Sequence, residues 1–393
     1  MNLMLSRLSD MSQKESRLII GLMSGTSLDG LDLALCKIKG SGFNTSMELM
    51  QFESVPYPSA FIEDIRSVFS KRLVDLEKLT LLNAHIADIH AEIILACLEK
   101  WNIPPSEIDC IASHGQTIYH APKRLHQQKY YPNATLQIGD GDHISVKTGI
   151  ITLSDFRQKH IAAGGEGAPL ALYGDVILFS SSTENRVLLN IGGIANFTFL
   201  PSDKSHARII STDAGPGNTL IDALANKYFD VPYDDNGKFA RGGKVDENLL
   251  KILLSHPFFT QDYPKTTGPE LFNLLYFNEA VKAAKAESLS SPDLLATTTE
   301  FTARAISKAL NEISSLPFTL YLSGGGSRNS YLVERLQQLL PDSAVMLTEA
   351  LGINPDAKEA ILFALLANET LCGSAIDTGA GPVTTMGKIS LPI

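Results

Sequence analysis

Cysteine is scarce: four in 393 residues, Cys36, Cys97, Cys110 and Cys372, far apart and with no CxxC pair. That argues against a disulfide framework and a structural zinc site, and it fits a reducing, cytoplasmic setting. Charge is modest, at 19% of residues, and leans acidic, with 43 acidic against 33 basic residues and a net charge of -10. Such a surface repels phosphate backbones and anionic lipid heads, so neither nucleic acid nor a membrane is an expected partner. No run approaches the ~18 apolar residues of a bilayer span. Residues 1–16 are too polar for a secretory signal and are expected to form a flexible leader, with Met11 a second candidate start.

What is present is a globular composition, 44% hydrophobic, in a chain long enough for two domains at ~150 residues each. Its 29 glycines are average in number but clustered, at Gly164-Gly165, Gly192-Gly193, Gly242-Gly243 and Gly324 to Gly326. Glycine turns directly after apolar strands point to a pocket lined by backbone. RLIIGLM, SGTSLDG and LDLALCKI read as strand, turn and strand, and RVLLN, IGG and IANFTFL repeat the pattern in mid-chain, which suggests an internal duplication. Between them, residues 74–101 read as a helix with Leu82, Ile86, Ile89, Ile93 and Ala96 on one face, ended by Pro104-Pro105, and DCIAS then forms a strand running into HGQTIYH. In the second half RIISTDAGPGN and FTLYLSGGG read as strands ending in turns, and TLIDALANKYF, EFTARAISKALNEI, NSYLVERLQQLL and DAKEAILFALLAN as helices. The class is α/β.

Three turns are candidates for chemistry. Ser24, Gly25, Thr26 and Ser27 offer amide and hydroxyl donors for phosphate oxygens, with Asp29 or Asp32 able to hold a hydrated magnesium ion; the alternative is a plain hydroxyl-rich hairpin. In DAGPGNTLID, Asp213 closes a strand, Gly215-Pro216-Gly217 reverses the chain, and Asn218 is placed to cap a helix. Asp213 there is either a general base over bound phosphate or a carboxylate satisfying turn amides. SGGGSRN, with Gly324, Gly325, Gly326 and Asn329, passes backbone close to something bulky, such as a purine or ribose.

His85 and His90, and His114 and His120, lack the spacing of a zinc site, so His114 and Gln116 are read as hydrogen-bond donors to a polar substrate or to the chain's own backbone. The basic stretch Pro122 to Lys129 is read as a solvated loop. Arg157 suits a carboxylate, either a substrate's or an internal one such as Glu359. Lys265, Thr266 and Thr267 are either substrate contacts or a turn with a helix cap.

In order, GLMSGTSLDGLD, SHGQTIYH, LSDFR, AAGGEGAPL, NIGGIANFT, DAGPGN, PKTTG, SGGGSRN and DAKEA resemble anhydro-N-acetylmuramic acid kinase over nearly all of the chain after residue 17. The resemblance implies an actin-like ATPase fold, two ribonuclease-H-like domains around a central nucleotide and substrate cleft. It gives domain I as 17–153 plus 373–393 and domain II as 154–372. It implies a homodimer in cell-wall recycling that uses ATP, magnesium and water to turn 1,6-anhydro-N-acetylmuramic acid into N-acetylmuramic acid 6-phosphate. Asp213 matches the catalytic aspartate. Gly25, Thr26, Ser27, Leu28, Asp29, Gly30, Leu31 and Asp32 match the ATP-phosphate segment. Gly192, Gly193, Asn196, Gly215, Gly217 and Asn218 match further phosphate contacts, and Gly324 to Gly326 with Asn329 the nucleoside side. Arg157 and Glu359 match positions near the sugar, and Asp29, Asp32 and Asp213 are the metal candidates. The sequence departs from the family at Gly141-Asp142, at Glu166 and at Pro269, where an arginine is frequent. Another cation, Arg157, Lys265 or Arg241, must then meet the lactyl carboxylate. The rivals are a kinase of a different sugar or acid on the same fold, and an ATP-driven binding module without small-molecule chemistry.

Overall fold

A computed structural model describes residues 3–25, 28–168, 170–203, 208–354, 356–379 and 381–393. Thr26 and Ser27, two of the expected phosphate contacts, lie outside the described residues. The chain divides into two compact units, Met1–Leu178 with Asn354–Ile393, and Phe179–Ile353.

The first unit contains β1 (Ser16–Ser24), β2 (Gly30–Lys39), β3 (Ser46–Pro56) and β4 (Cys110–Ser113), then β5 (Gln116–Ala121), β6 (Ala134–Ile138) and β7 (Thr152–Ser154). Strands β1, β2 and β3 pair antiparallel, while β4 lies parallel to β1 and β7 parallel to β4. In the second unit β8 (Arg186–Ile191), β9 (Ile194–Leu200) and β10 (Ile210–Pro216) pair antiparallel, β11 (Thr319–Ser323) lies parallel to β8, and β12 (Ala344–Leu347) parallel to β11. Counted within each sheet and leaving aside the last strand of the chain, both sheets therefore run third, second, first, fourth, fifth strand with the same senses. The duplication expected from the two hairpins is a duplication of the whole ribonuclease-H-like sheet. A last strand, β13 (Lys388–Ser390), adds to the first sheet antiparallel to β7, and β5 and β6 form a separate ribbon.

Parallel strands need cover on both faces, which explains why LIIGL in β1 is apolar at every position rather than alternating. The helix Lys358–Cys372 lies along β1, β2 and β4 and is buried all round from Ala360 to Glu369. The helix Leu76–Lys100 supplies Leu82, Ile86 and Ile94 to the same core as Ile20, Leu22 and Leu33, each such burial contributing ~1.5–3 kcal/mol. Asp75 starts that helix by accepting from the amides of Glu77 and Lys78 at 2.9 and 3.2 Å. By length and composition the helix could span a bilayer, but its buried face belongs to the core of the first unit. In the second unit the buried helix Ser291–Ile313 carries three threonines in succession. Thr297, Thr298 and Thr299 return their hydroxyls to the carbonyls four residues earlier, so no buried hydroxyl there is left unpaired.

Three expectations differ from the structure. The leader folds: Leu3–Gln13 is a helix with Met11 buried, and Lys14 pairs with Asp109 at 2.5 Å, because an apolar side chain and a charge both find partners on the first unit. The units divide at 178/179 and 353/354 instead of 153/154 and 372/373, because Lys358–Cys372 covers the first sheet. The long helix buries Leu82, Ile86, His90, Ile94 and Leu98, whereas Ile89 and Ile93 are only partly covered. A polar His90 within the stripe had shifted the apparent apolar face.

Candidate functional site

In the second unit three turns converge at the ends of β8, β10 and β11. The Gly192-Gly193 carbonyls accept from the amides of Asn218 at 2.8 Å and Gly217 at 2.9 Å, and Thr219 adds its hydroxyl to Gly193 O at 2.8 Å. A side chain at Gly217 would run into Gly192 O, so only glycine allows this contact. Gly324 has φ +79°, and a Cβ there would come within 2.5 Å of the Asn190 side chain, which ties the third turn to β8. Thr302 of the core helix fixes Gly217 O at 3.0 Å. Asn218 does not cap its helix as expected. Its own backbone is already helical, with φ -84° and ψ -16°, and its side-chain amide donates to Ile191 O at 3.3 Å, joining two of the turns.

Beside these turns lies a cavity of about 450 Å³, lined by Asn218, Asp222, Tyr233, Asn236, Arg328 and Asn329 among others. Asn329 is a cap, accepting from Leu332 N at 3.1 Å, and so holds the SGGGSRN turn at the helix start. The sequence reading missed Asp222, Tyr233, Asn236 and Arg328. Arg328 belongs to a motif already quoted and Asp222 sits one turn after Asn218, while nothing local marks Tyr233 or Asn236. Burial pushes the Asp222 carboxyl up to about 6.

Asp213 sits at a β-bulge, where the register of β10 against β9 shifts between Asp213 and Gly215. Bulges re-aim a side chain. The PKTTG segment brackets this strand: Lys265 O accepts from Asp213 N at 3.0 Å, Lys265 N donates to the Thr212 hydroxyl at 2.9 Å, and Thr267 N donates to Asp213 Oδ2 at 2.8 Å. One carboxylate oxygen is thus held by an amide. Burial raises the Asp213 carboxyl above its ordinary value and the Thr267 amide pulls it back. Thr266 is exposed, and the buried Thr267 hydroxyl has no hydrogen-bond partner.

Two of the three candidate cations are committed elsewhere. Lys265 is buried, with Nζ on Phe258 O at 3.2 Å and over the Tyr263 ring at 4.3 Å. Arg241 forms a bidentate pair with Glu334, both bonds 2.7 Å.

In the first unit the ends of β1 and β4 carry the expected residues. His114 and Gln116 are buried. Gln116 Oε1 accepts from the Ser24 hydroxyl at 2.6 Å, and its amide nitrogen donates to Thr117 O at 3.3 Å and Gly25 O at 3.4 Å. Arg157, third of the cations, reaches His114 Nε2 with Nε at 3.2 Å and Nη2 at 3.1 Å, and Gly167 O with Nη1 at 2.8 Å. Burial first, then the Arg157 charge, depress His114 to about 3, so it is neutral and accepts at Nε2. The charge of Glu359, in the first turn of Lys358–Cys372, acts on Arg157. Asp32 is held above its ordinary value by burial and by the neighbouring charges of Asp29 and Asp356. Gln137, Asp140 and Asp155 join His114 around a further cavity of about 340 Å³, where residues 137–140 meet the LSDFR motif; nothing in the sequence alone singled them out. Among the described residues no group of three or more His, Cys, Asp or Glu side chains is placed to hold a metal ion.

The family model of anhydro-N-acetylmuramic acid kinase matches residues 17–391. The chain belongs to that family. The anhydro-N-acetylmuramic acid kinase of Pseudoalteromonas atlantica is 52% identical over the whole of both chains. That of Caldanaerobacter subterraneus is 41% identical over 98% of this chain and 100% of its own, and that of Bacillus thuringiensis 39% identical over 95% and 99%. A solved ROK hexokinase from Thermus thermophilus is more distant, 12% identical with a TM-score of 0.41, covering 90% of this chain and 99% of that one. The fold therefore rests on family membership and on the strand order of the two sheets.

Proposed function

We propose that the protein is an ATP-dependent anhydro-N-acetylmuramic acid kinase of cell-wall recycling, forming N-acetylmuramic acid 6-phosphate and ADP from the anhydro sugar, ATP and water. The observation that carries this is the family match across residues 17–391.

In this reading Asp213 is the general base. The substrate's 6-oxygen is locked in the anhydro bridge and has no proton to give, so Asp213 takes the proton of a water that attacks the anomeric carbon. The bond from that carbon to the bridge oxygen breaks, and the freed 6-oxygen attacks the γ-phosphorus as ADP leaves. An amide hydrogen bond on one carboxylate oxygen and partial burial suit this role: the first orients the base, and the second outweighs the amide's pull and keeps it more basic than a free aspartate. Gly25 to Asp32, Gly192, Gly193, Asn196, Gly215, Gly217 and Asn218 are assigned to the ATP phosphates, and Gly324 to Gly326 with Asn329 to the nucleoside. Arg157, whose bonds go to the neutral His114 and to Gly167 O and to no carboxylate, is assigned to the substrate's lactyl carboxylate, with Glu359 beside it. Thr267 is assigned to the sugar through its unpaired hydroxyl, and Thr266 with it. His114 accepts from the Arg157 guanidinium and Gln116 from the Ser24 hydroxyl, so both are assigned to positioning those two groups.

A magnesium ion would be held by Asp29 and Asp32: Asp32 is raised first by burial and then by the charges of Asp29 and Asp356, and a cation would offset that repulsion; Asp213 is the further candidate. When bound, the ion supplies charge neutralisation for phosphoryl transfer. The free cysteines fit the cytoplasm, and a homodimer is the proposed assembly. The direct test follows ADP release from ATP and magnesium with anhydro-N-acetylmuramic acid or with N-acetylglucosamine. Turnover is expected with the first; turnover with the second alone refutes the assignment.

A further inference from the structure

Behind β1 runs a chain of buried hydrogen bonds that joins Ser24 and Gln116, each in a motif, to Tyr57 and His90, which are in none. Tyr57 Oη donates to Ser24 Oγ at 2.9 Å, Ser24 Oγ donates to Gln116 Oε1 at 2.6 Å, and His90 Nε2 lies 2.8 Å from Tyr57 Oη. A tyrosine hydroxyl has one proton, and Tyr57 has given it to Ser24, so His90 must be the donor to Tyr57. This fixes His90 as the neutral tautomer protonated at Nε2. Burial keeps it neutral by depressing it to about 4. The Tyr57 backbone amide also donates to Asp29 O at 3.1 Å. One residue therefore holds both flanks of the chain between Ser24 and Asp29, by its hydroxyl at the first and its backbone at the second. Its ring is fixed edge-on against Phe61, with centroids 4.9 Å apart.

We propose that Tyr57, oriented by His90, is a positioning residue that sets the span of the ATP-phosphate turn from Ser24 to Asp29. The inference rests on the ATP reading of that turn. Tyr57 touches neither phosphate nor sugar; it acts through Ser24 and Asp29. Losing its hydroxyl leaves Ser24 Oγ and His90 Nε2 short of a partner in a buried place and frees one flank, while the ring packing and the bond to Asp29 remain.

The test is a double-mutant cycle on the affinity for a non-hydrolysable ATP analogue, measured by calorimetry on the full chain. Tyr57→Phe and Ser24→Ala are each expected to weaken binding about tenfold, and the double variant by about the same factor, because both break one chain. Unchanged affinity in Tyr57→Phe, or losses that multiply to about a hundredfold in the double variant, overturns the proposal. Should Tyr57→Phe not fold, His90 decides: His90→Gln, which keeps a donor toward Tyr57, is expected to bind near the wild-type level and His90→Leu about tenfold more weakly. Equal binding by these two overturns it. A wild-type protein that does not bind the analogue at all refutes the ATP reading instead, a result distinct from either.

Discussion

Replacing Asp213 by asparagine is the most informative single change, because the structure separates what the substitution keeps from what it removes. The asparagine carbonyl still accepts the Thr267 amide that now lies 2.8 Å from Asp213 Oδ2, and the bracket of Lys265 and Thr212 around the strand is untouched. What is lost is the second oxygen as a proton acceptor. Losing a general base lowers the rate by ~100-fold or more, which is about 2.7 kcal/mol on the barrier at 1.36 kcal/mol per decade. Steady-state ADP release gives kcat, and a thermal melt shows whether the fold survives. The Asp213 carboxyl is raised in the folded protein, so the folded state holds this proton more tightly than the unfolded chain. The stability it contributes is then present at low pH and lost as pH rises through the folded value, and the asparagine variant should melt at or slightly above wild type at pH 7. The wild-type rate should run the opposite way, falling as pH drops through the same value and the base is protonated. A variant within tenfold of wild type, with an unchanged melt, refutes the assignment of the base.

Other residues give independent checks. Lys265→Met should lower the melting temperature and leave KM for the sugar within twofold, because the amine is bound to Phe258 O and stacked on Tyr263; a tenfold rise in KM would show that it reaches substrate. Asp222→Asn removes a carboxyl held near 6 by burial, so its melting temperature should exceed wild type by a margin that widens between pH 4 and pH 7; a constant margin contradicts that. Gly217→Ala forces a methyl group against Gly192 O and should weaken ATP binding by at least tenfold, seen by calorimetry; unaltered affinity would dissociate the turn from the nucleotide.

The turns of the candidate site were legible because strands ending in glycine turns leave a local signature. Asp213, Gly217 and Gly324 stand in short motifs whose backbone demands can be read from the residues alone. Side-chain direction was harder to read. Lys265 looks like a substrate cation in PKTTG, and only the placement of Tyr263 and Phe258 shows it turned inward. His114 and Gln116 were left between substrate and backbone, and their internal bonds to Arg157 and Ser24 depend on strands that meet only in the folded sheet. The unit boundary failed for a related reason. Whether Lys358–Cys372 covers the first sheet or the second depends on contacts with β1, distant in sequence by more than three hundred residues. Likewise Tyr57 and His90 lie outside every motif, and their relation to Ser24 comes from packing alone.

The central claim is that water adds to the anomeric carbon as the bridge oxygen is freed for phosphorylation. A single turnover in oxygen-18 water, quenched early and read by mass spectrometry, tests it most directly. One heavy oxygen is expected at the anomeric hydroxyl of N-acetylmuramic acid 6-phosphate and none in its phosphate. Label confined to inorganic phosphate, with an unlabelled sugar, would contradict it.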